Sequence, residues 1–192
     1  MRRALIGAGM AVAREGGPEA VVLRAVSRQV GVSHNAAYRH FRDREDLLAA
    51  VSAGCMNRLG ELMIRRSGAV DLTDPVDAAW ARLNAIGRAY VDFALTEHGW
   101  FRTAFSGAVA HGAEGEVDTT GEDPYSLLAQ CLDELVEVGG MPPARRAGAQ
   151  YAAWSAVHGL AALMVDGPLR ILPADEREVA IAAVLNTVAR GL

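Results

Sequence analysis

The stretch Leu23 to Phe41, LRAVSRQVGVSHNAAYRHF, constrains the fold more than any other part of this chain. Val26, Val30 and Val32 are apolar, while Arg24, Arg28 and Gln29 between them are polar, which buries one side of a short helix and wets the other. Gly31 follows where a helix stops in the left-handed region, a conformation in which a β-carbon clashes. Ser33 then reads as the N-cap of a second helix, its hydroxyl accepting a free backbone N–H. The spacing predicts that helix over His34 to Phe41. Ala37 and Phe41, four apart, face inward. Asp43 reads as the cap of a third, longer helix, with Glu45 and Asp46 in its first turn. Two short helices joined by a tight turn are the usual way to present a helix end to the major groove.

The second helix carries His34, Asn35, Tyr38, Arg39 and His40, donors and acceptors suited to phosphates and base edges. By residue type alone, Tyr38 is equally a half-buried aromatic and His40 a solvated helix residue. A glycine between two short helices also occurs in helical proteins that never meet DNA. The order of the residues is more specific than their chemistry.

That order resembles the N-terminal domain of the TetR family of bacterial repressors, over about Arg2 to Val51. The matching residues are Leu23-Arg24, Gly31-Val32-Ser33, Tyr38-Arg39-His40-Phe41, and Arg44-Glu45 followed by Leu47-Leu48. The resemblance implies that the helix after the Gly-Val-Ser turn enters the major groove. It makes Ser33, His34, Asn35 and Arg39 candidates for base or adjacent contacts, and Tyr38 and His40 candidates for phosphate. Arg44 stands where the family usually has a lysine near phosphate, and Arg24 occupies the family's arginine position. The chain departs from the pattern twice. Val22 and Ala25 replace the Ser/Thr and acidic residue of a capping box, so the helix forgoes a side-chain cap of about 1 kcal/mol and leans on packing. His34 and Asn35 stand where many relatives have small residues or proline. Asparagine can bond adenine bidentately, for about 1–3 kcal/mol of discrimination, so Asn35 is expected to read a base.

Charge follows the same division. The chain carries net charge −4 with pI ≈ 5.7, unlike a generic polyanion binder. Residues 1–48 hold eight arginines against five carboxylates, a surplus of +3, which leaves −7 for the remainder. A basic head on an acidic body suits contact with phosphate through one face. Two cysteines, Cys55 and Cys131, lie far apart without metal-ligand spacing, which suits a reduced cytoplasmic protein with small buried thiols. The run Ala4 to Ala13 after Arg2 and Arg3 superficially resembles a signal peptide, but it reads as the first helix because no small-residue cleavage site follows. No segment reads as long enough to span a membrane.

Little of the 192-residue chain alternates as strands do, so an all-α fold is expected, with a three-helix helix-turn-helix domain over 1–48 and a helical ligand-binding and dimerisation domain over 49–192. Helices are expected from Arg44 to about Arg66, Pro75 to about Glu97, Gly99 to Phe105, Pro124 to Val138, Pro142 to Val165 and Ala174 to Arg190. The glycine- and acid-rich SGAVAHGAEGEVDTTGED reads as a mobile loop. Gly87 to Phe105 and the Trp154-Ser155-Ala156-Val157-His158-Gly159 segment resemble the C-terminal domain of a TetR subgroup named for its Trp-His-Gly motif. That resemblance implies a small-molecule inducer and a homodimer. Relatives commonly have proline at Gly99, so a softer helix break is expected there. The small-residue faces of Ala144 to Met164 and of AIAAVLNTVA suit close helix packing, within one chain or between two.

Pocket candidates are Met63, Trp80, Leu83, Asn84, Tyr90, Trp100, Phe101, Phe105, Tyr125, Leu128, Trp154 and His158, since apolar walls with a few polar groups suit small molecules. Aromatics at helical spacing are more often simply core. The rival classes are a small helical enzyme and a helical adaptor. His98, His111 and His158 are scattered, and the chain has no HExxH, CxxC, GxSxG or Walker loop, so neither catalytic residues, metal nor cofactor is expected. The expected partners are operator DNA, an inducer and a second copy of the chain, with no membrane.

Overall fold

The computed structural model describes residues 1–106 and 123–191. Nearly all of the stretch read as a mobile loop, and with it His111, lies outside the described residues. Those residues form nine α-helices and two short 3-10 turns, without strands. By contact they divide into two units. One comprises Met1–Arg58 and the segment beginning at Glu97; the other comprises Leu59–Thr96 and the helices from Pro124 onward.

The first unit opens with α1 (Arg2–Gly16), which buries Leu5, Gly9 and Ala13, one residue per turn along a single stripe. After a 3-10 turn at Pro18–Ala20 come α2 (Leu23–Val30) and α3 (His34–Tyr38). These pack on the first part of α4 (Arg44–Gly68). The core joins Leu5, Val21, Val26, Ala37, Phe41 and Leu47. Phe41 is 1% exposed, and its burial contributes about 1.5–3 kcal/mol. The Arg2 guanidinium lies 5.1 Å from the centre of its ring.

The local chemistry accounts for each boundary. Gly31 adopts φ 75°, ψ 29°, with its N–H on Arg28 O and the Val32 N–H on Ser27 O, the paired bonds of a Schellman stop. The Ser33 hydroxyl accepts the Ala36 N–H at 3.2 Å. Asp43 Oδ1 accepts the Asp46 N–H at 2.7 Å, and Asp46 Oδ2 accepts the Arg42 N–H at 2.9 Å. Val22 provides no side-chain cap for α2, and that helix is held by the buried Leu23, Val26 and Ser27, with Ser27 Oγ donating to Leu23 O at 2.7 Å. One boundary differs from expectation. The helix after the turn ends at Tyr38, because both His40 N–H and Phe41 N–H converge on Ala37 O and tighten the chain into a turn.

The remaining helix of this unit, α6 (His98–Ala104), packs on α1. Gly99 does not soften the preceding break. The chain leaves the helical region fully at Glu97 (φ −122°, ψ 52°), one residue after α5 ends. Gly99 instead sits in the first turn of α6, where a β-carbon would lie 2.2 Å from Ala13 O and 2.3 Å from Arg14 O. The close approach of two backbones fixes glycine here.

In the second unit, α5 (Pro75–Thr96) packs against α7 (Pro124–Glu137), α8 (Pro143–Val165) and α9 (Ala174–Gly191). Asp74 caps α5 by accepting two N–H groups, from Val76 and Asp77, both at 2.9 Å. Asp123 caps α7 by accepting the Ser126 N–H at 3.0 Å. The helix expected to run unbroken from Pro142 to Val165 is kinked after its first turn. Ala147 (ψ 119°) and Gly148 (φ 85°) leave the helical region, and Gly148 is the residue able to take positive φ without strain.

The expectation that no segment is long enough to span a membrane needs correction. Helix α4, at 25 residues, passes that test by length and by a mean hydropathy of 1.2 over its most apolar window. That window is 56% buried within the protein, as befits a core helix.

Candidate functional site

The turn between α2 and α3 sets out a polar surface. Ser33, His34, Asn35, Tyr38, Arg39 and His40 are all exposed, while Ala37 of the same turn is fully buried. The His34 and Tyr38 rings, one helical turn apart, meet at 4.7 Å between centroids, tilted by 52°. Asn35 lies between them in sequence, on the exposed side of α3.

The cations of this region are of two kinds. Arg24 and Arg28, four apart on the wet face of α2, and Arg39 after α3 are exposed and make no ion pair among the described residues. Arg44 is occupied differently. Its guanidinium donates to Pro18 O at 2.7 Å, tying the 3-10 turn to the start of α4. Arg28 was not among the sequence candidates, although its i, i+4 relation to Arg24 was visible in the sequence. In the second unit several arginines are paired. Arg82 bonds Glu134, Arg88 bonds Asp92 and Glu178, and Arg146 bonds Asp133. On the reading head, phosphate would satisfy the unpaired Arg24, Arg28 and Arg39.

A clasp that sequence reasoning missed joins α1 to α6 within the same unit. Arg14 donates to both oxygens of Glu97 at 2.6 Å and lies 5.0 Å from the centre of the Trp100 ring. Trp100 Nε1 donates to Met10 O at 2.8 Å. Ser52 Oγ donates to Thr103 O at 2.9 Å, binding α4 to α6. Partners 83 and 90 residues apart leave no local signal in a sequence.

The second unit contains a cavity of about 290 Å³ lined by residues of α4, α5, α7, α8 and α9. Met63, Trp80, Leu83, Asn84, Tyr90, Leu128 and Trp154, all expected from the sequence, share this lining. The other candidates fall elsewhere. Trp100, Phe101 and Phe105 belong to the first unit, and Trp100 and Phe105 pack on its core. Tyr125 stands edge-on to Trp154 at 5.4 Å. His158 stacks on Trp154 at 6.5 Å and shares a 2.7 Å hydrogen bond between its Nδ1 and the Tyr90 hydroxyl. Burial lowers the His158 pKa from its ordinary value and raises that of Tyr90, so the pair is neutral at pH 7. The Cys55 and Cys131 thiols are free and buried, pushed up to about 12 and about 11. Among the described residues no cluster of three His, Cys, Asp or Glu side chains could hold a metal ion.

A helix-turn-helix with an exposed polar face defines a DNA-binding head, here joined to a helical unit with an internal apolar cavity. Comparison with known families agrees. The profile of bacterial regulatory proteins of the tetR family matches residues 5–51, and that of the tetracyclin repressor-like C-terminal domain matches residues 83–187. The chain belongs to the TetR family of transcriptional regulators. The second profile does not specify the Trp-His-Gly subgroup.

Among solved structures, the chain is similar to a protein of unknown function from Rhodococcus sp. RHA1, with 30% identity and TM-score 0.78 over 100% of this chain and 94% of that one. It shares its fold with the TetR family regulator PfmR from Thermus thermophilus, at 22% identity and TM-score 0.60 over 98% of each chain. RolR, solved with its ligand resorcinol, is similar at 18% identity and TM-score 0.64, over 99% of this chain and 90% of that one. A search of curated proteins found no match.

Proposed function

We propose that the protein is a homodimeric, cytoplasmic repressor that binds operator DNA and is released by a small molecule. The carrying observation is the exposed face of α3 beside the unpaired Arg24, Arg28 and Arg39. In this reading His34, Asn35 and Arg39 meet base edges, while Ser33, Tyr38, His40, Arg24 and Arg28 meet the sugar-phosphate backbone. Arg44 acts by holding the Pro18 turn against α4, with phosphate contact only at its exposed side. The resemblance of Trp154 to Gly159 to the Trp-His-Gly motif remains part of this proposal.

Dimerisation is supported by a second apolar surface. Helices α8 and α9 pack on each other within the chain, yet Leu163 is 44% and Val179 69% exposed. An open groove on this face is lined by Ala156, Gly159, Leu163, Ala180, Ala183 and Val184. Small residues there allow two further helices to approach closely. A dimer places two heads on half-sites one helical turn apart, or a multiple of it.

The cavity supports ligand sensing, and a structural relative was solved with a phenolic ligand. Helix α4 carries both Leu47 and Val51 of the reading-head core and Met63 of the cavity wall. A ligand that favours one disposition of α4 shifts the population of DNA-competent heads. Light scattering gives the mass in solution, and fluorescence anisotropy with DNA upstream of the protein's own gene gives affinity and salt dependence. A dimer that prefers one site over random duplex supports the proposal. A monomer, or equal affinity for all duplexes, overturns it.

A further inference from the structure

The wall chemistry of the cavity restricts what can enter. Its lining contains no charged residue. Arg66 and Arg88, which flank Asn84 in an adjoining groove, are both held by Asp92, and Arg88 also by Glu178. A charged ligand would lose its hydration without gaining a counter-ion, so either sign is rejected.

The apolar wall is partly aromatic. Tyr90 and Trp154 meet edge to face at 5.3 Å and 75°, forming a corner, and Trp80 lines the same space. A planar ring meets such a corner by stacking or edge contact, gains beyond simple burial. The volume of about 290 Å³ lies near the lower end of small-molecule pockets, roughly 300–1,000 Å³, which suits one or two rings. Room for them depends on Gly87. A β-carbon there would come within 2.8 Å of Leu185 Cδ2 and narrow the cavity between α5 and α9.

The polar groups are few and local. Tyr90 already spends its hydroxyl on His158. Trp80 and Asn84 are one turn apart on α5; the Trp80 indole nitrogen lies near Gly140, outside the cavity lining, while the exposed Asn84 stands at the cavity mouth shared with the adjoining groove. Neither makes a hydrogen bond within the described residues. The Asn84 amide offers an N–H donor group and an acceptor oxygen to a ligand group at the mouth.

We propose that this cavity takes an uncharged aromatic molecule of one or two rings bearing a hydroxyl or carbonyl, with that polar group on Asn84 at the mouth and the ring against the Tyr90–Trp154 corner. The proposal rests on the reading of the cavity as the effector site, and names the chemical class of that effector.

Isothermal titration calorimetry on the full chain, without DNA, separates the two. The probes are 2-naphthol, its anionic analogue 2-naphthoate, its saturated analogue decahydro-2-naphthol, and naphthalene. The expected order is 2-naphthol at least tenfold tighter than 2-naphthoate and several-fold tighter than the saturated alcohol. Asn84→Leu should weaken 2-naphthol about tenfold and leave naphthalene unchanged. Gly87→Val should abolish binding. Ala189→Phe fills the cavity from a half-buried position and should do the same where Gly87→Val disturbs folding. Equal or tighter binding of 2-naphthoate or of the saturated alcohol overturns the proposal, as does no binding of 2-naphthol. Should 2-naphthol bind in the expected order while leaving operator affinity unchanged, the ligand class stands and induced release falls.

Discussion

Replacing Gly99 by alanine probes the clasp between α1 and α6 most sharply. The added β-carbon would sit 2.2 Å from Ala13 O and 2.3 Å from Arg14 O, against a normal contact above 3.4 Å. Both obstacles are main-chain atoms, so no side-chain rotation relieves them, and α6 must move away by about 1 Å. Overpacking of this kind costs about 1–3 kcal/mol. Moving α6 also stretches the Trp100 Nε1 bond to Met10 O, worth about 0.5–1.5 kcal/mol. The total is about 1.5–4.5 kcal/mol. In a chain of this size each kcal/mol lowers Tm by roughly 2–4 °C, so a fall of roughly 3–18 °C is expected. Gly7→Ala is the internal control. Gly7 is exposed in α1 with no atom within 4 Å of its β-position, and alanine there should be neutral or stabilise by up to about 1 kcal/mol. Thermal melts followed by circular dichroism at 222 nm compare the three proteins. A Gly99→Ala variant melting within a degree of the parent, or one no worse than Gly7→Ala, would refute the close approach.

Three further expectations follow from the same geometry. Arg24→Ala and Arg28→Ala should each weaken DNA binding equally across sequences and flatten the log K against log salt slope by about 1; a change in sequence ranking would assign them to bases instead. The His158 pKa is depressed in the folded state, so the unfolded chain takes up protons first as pH falls through about 6.5. Stability should therefore drop on acidification below that value, and His158→Gln should remove this component of the Tm–pH curve; an unchanged curve would discount the buried imidazole. Cys55 and Cys131 are both buried with raised pKa, so at pH 8 a thiol reagent should label neither in the native protein and both after denaturation.

The reading head could be inferred from sequence because its determinants are local. Gly31, Ser33, Ala37 and Phe41 act over one to four residues, and spacing alone carries them. The same holds for Asp43, placed before a run of helical period. What escaped inference depends on partners distant in sequence. Periodicity marks Trp100, Phe101 and Phe105 as apolar, but not that they serve the first unit rather than the cavity. The acceptor for Trp100 is a carbonyl 90 positions away. Gly99 resembles any helix-weakening glycine until the carbonyl groups of α1 are in view. The kink at Ala147–Gly148 was hidden by alanine-rich neighbours, whose helix propensity outweighs one glycine in any windowed reading. Arg44 shows a third kind of gap. The resemblance implies phosphate for it, and no sequence pattern shows that its guanidinium also donates to the Pro18 carbonyl 26 positions away.

The central claim is sequence-specific DNA recognition through α3. Its most direct measurement selects binding sites from random DNA and then determines affinity, at one fixed salt concentration, for the selected duplex and for a scrambled one. The account predicts a selected site with two symmetric half-sites, bound at least about 10³-fold more tightly than the scrambled duplex. It also predicts that Asn35→Ala changes the preferred base within each half-site. Recovery of no common sequence, with equal affinity for both duplexes, would contradict it.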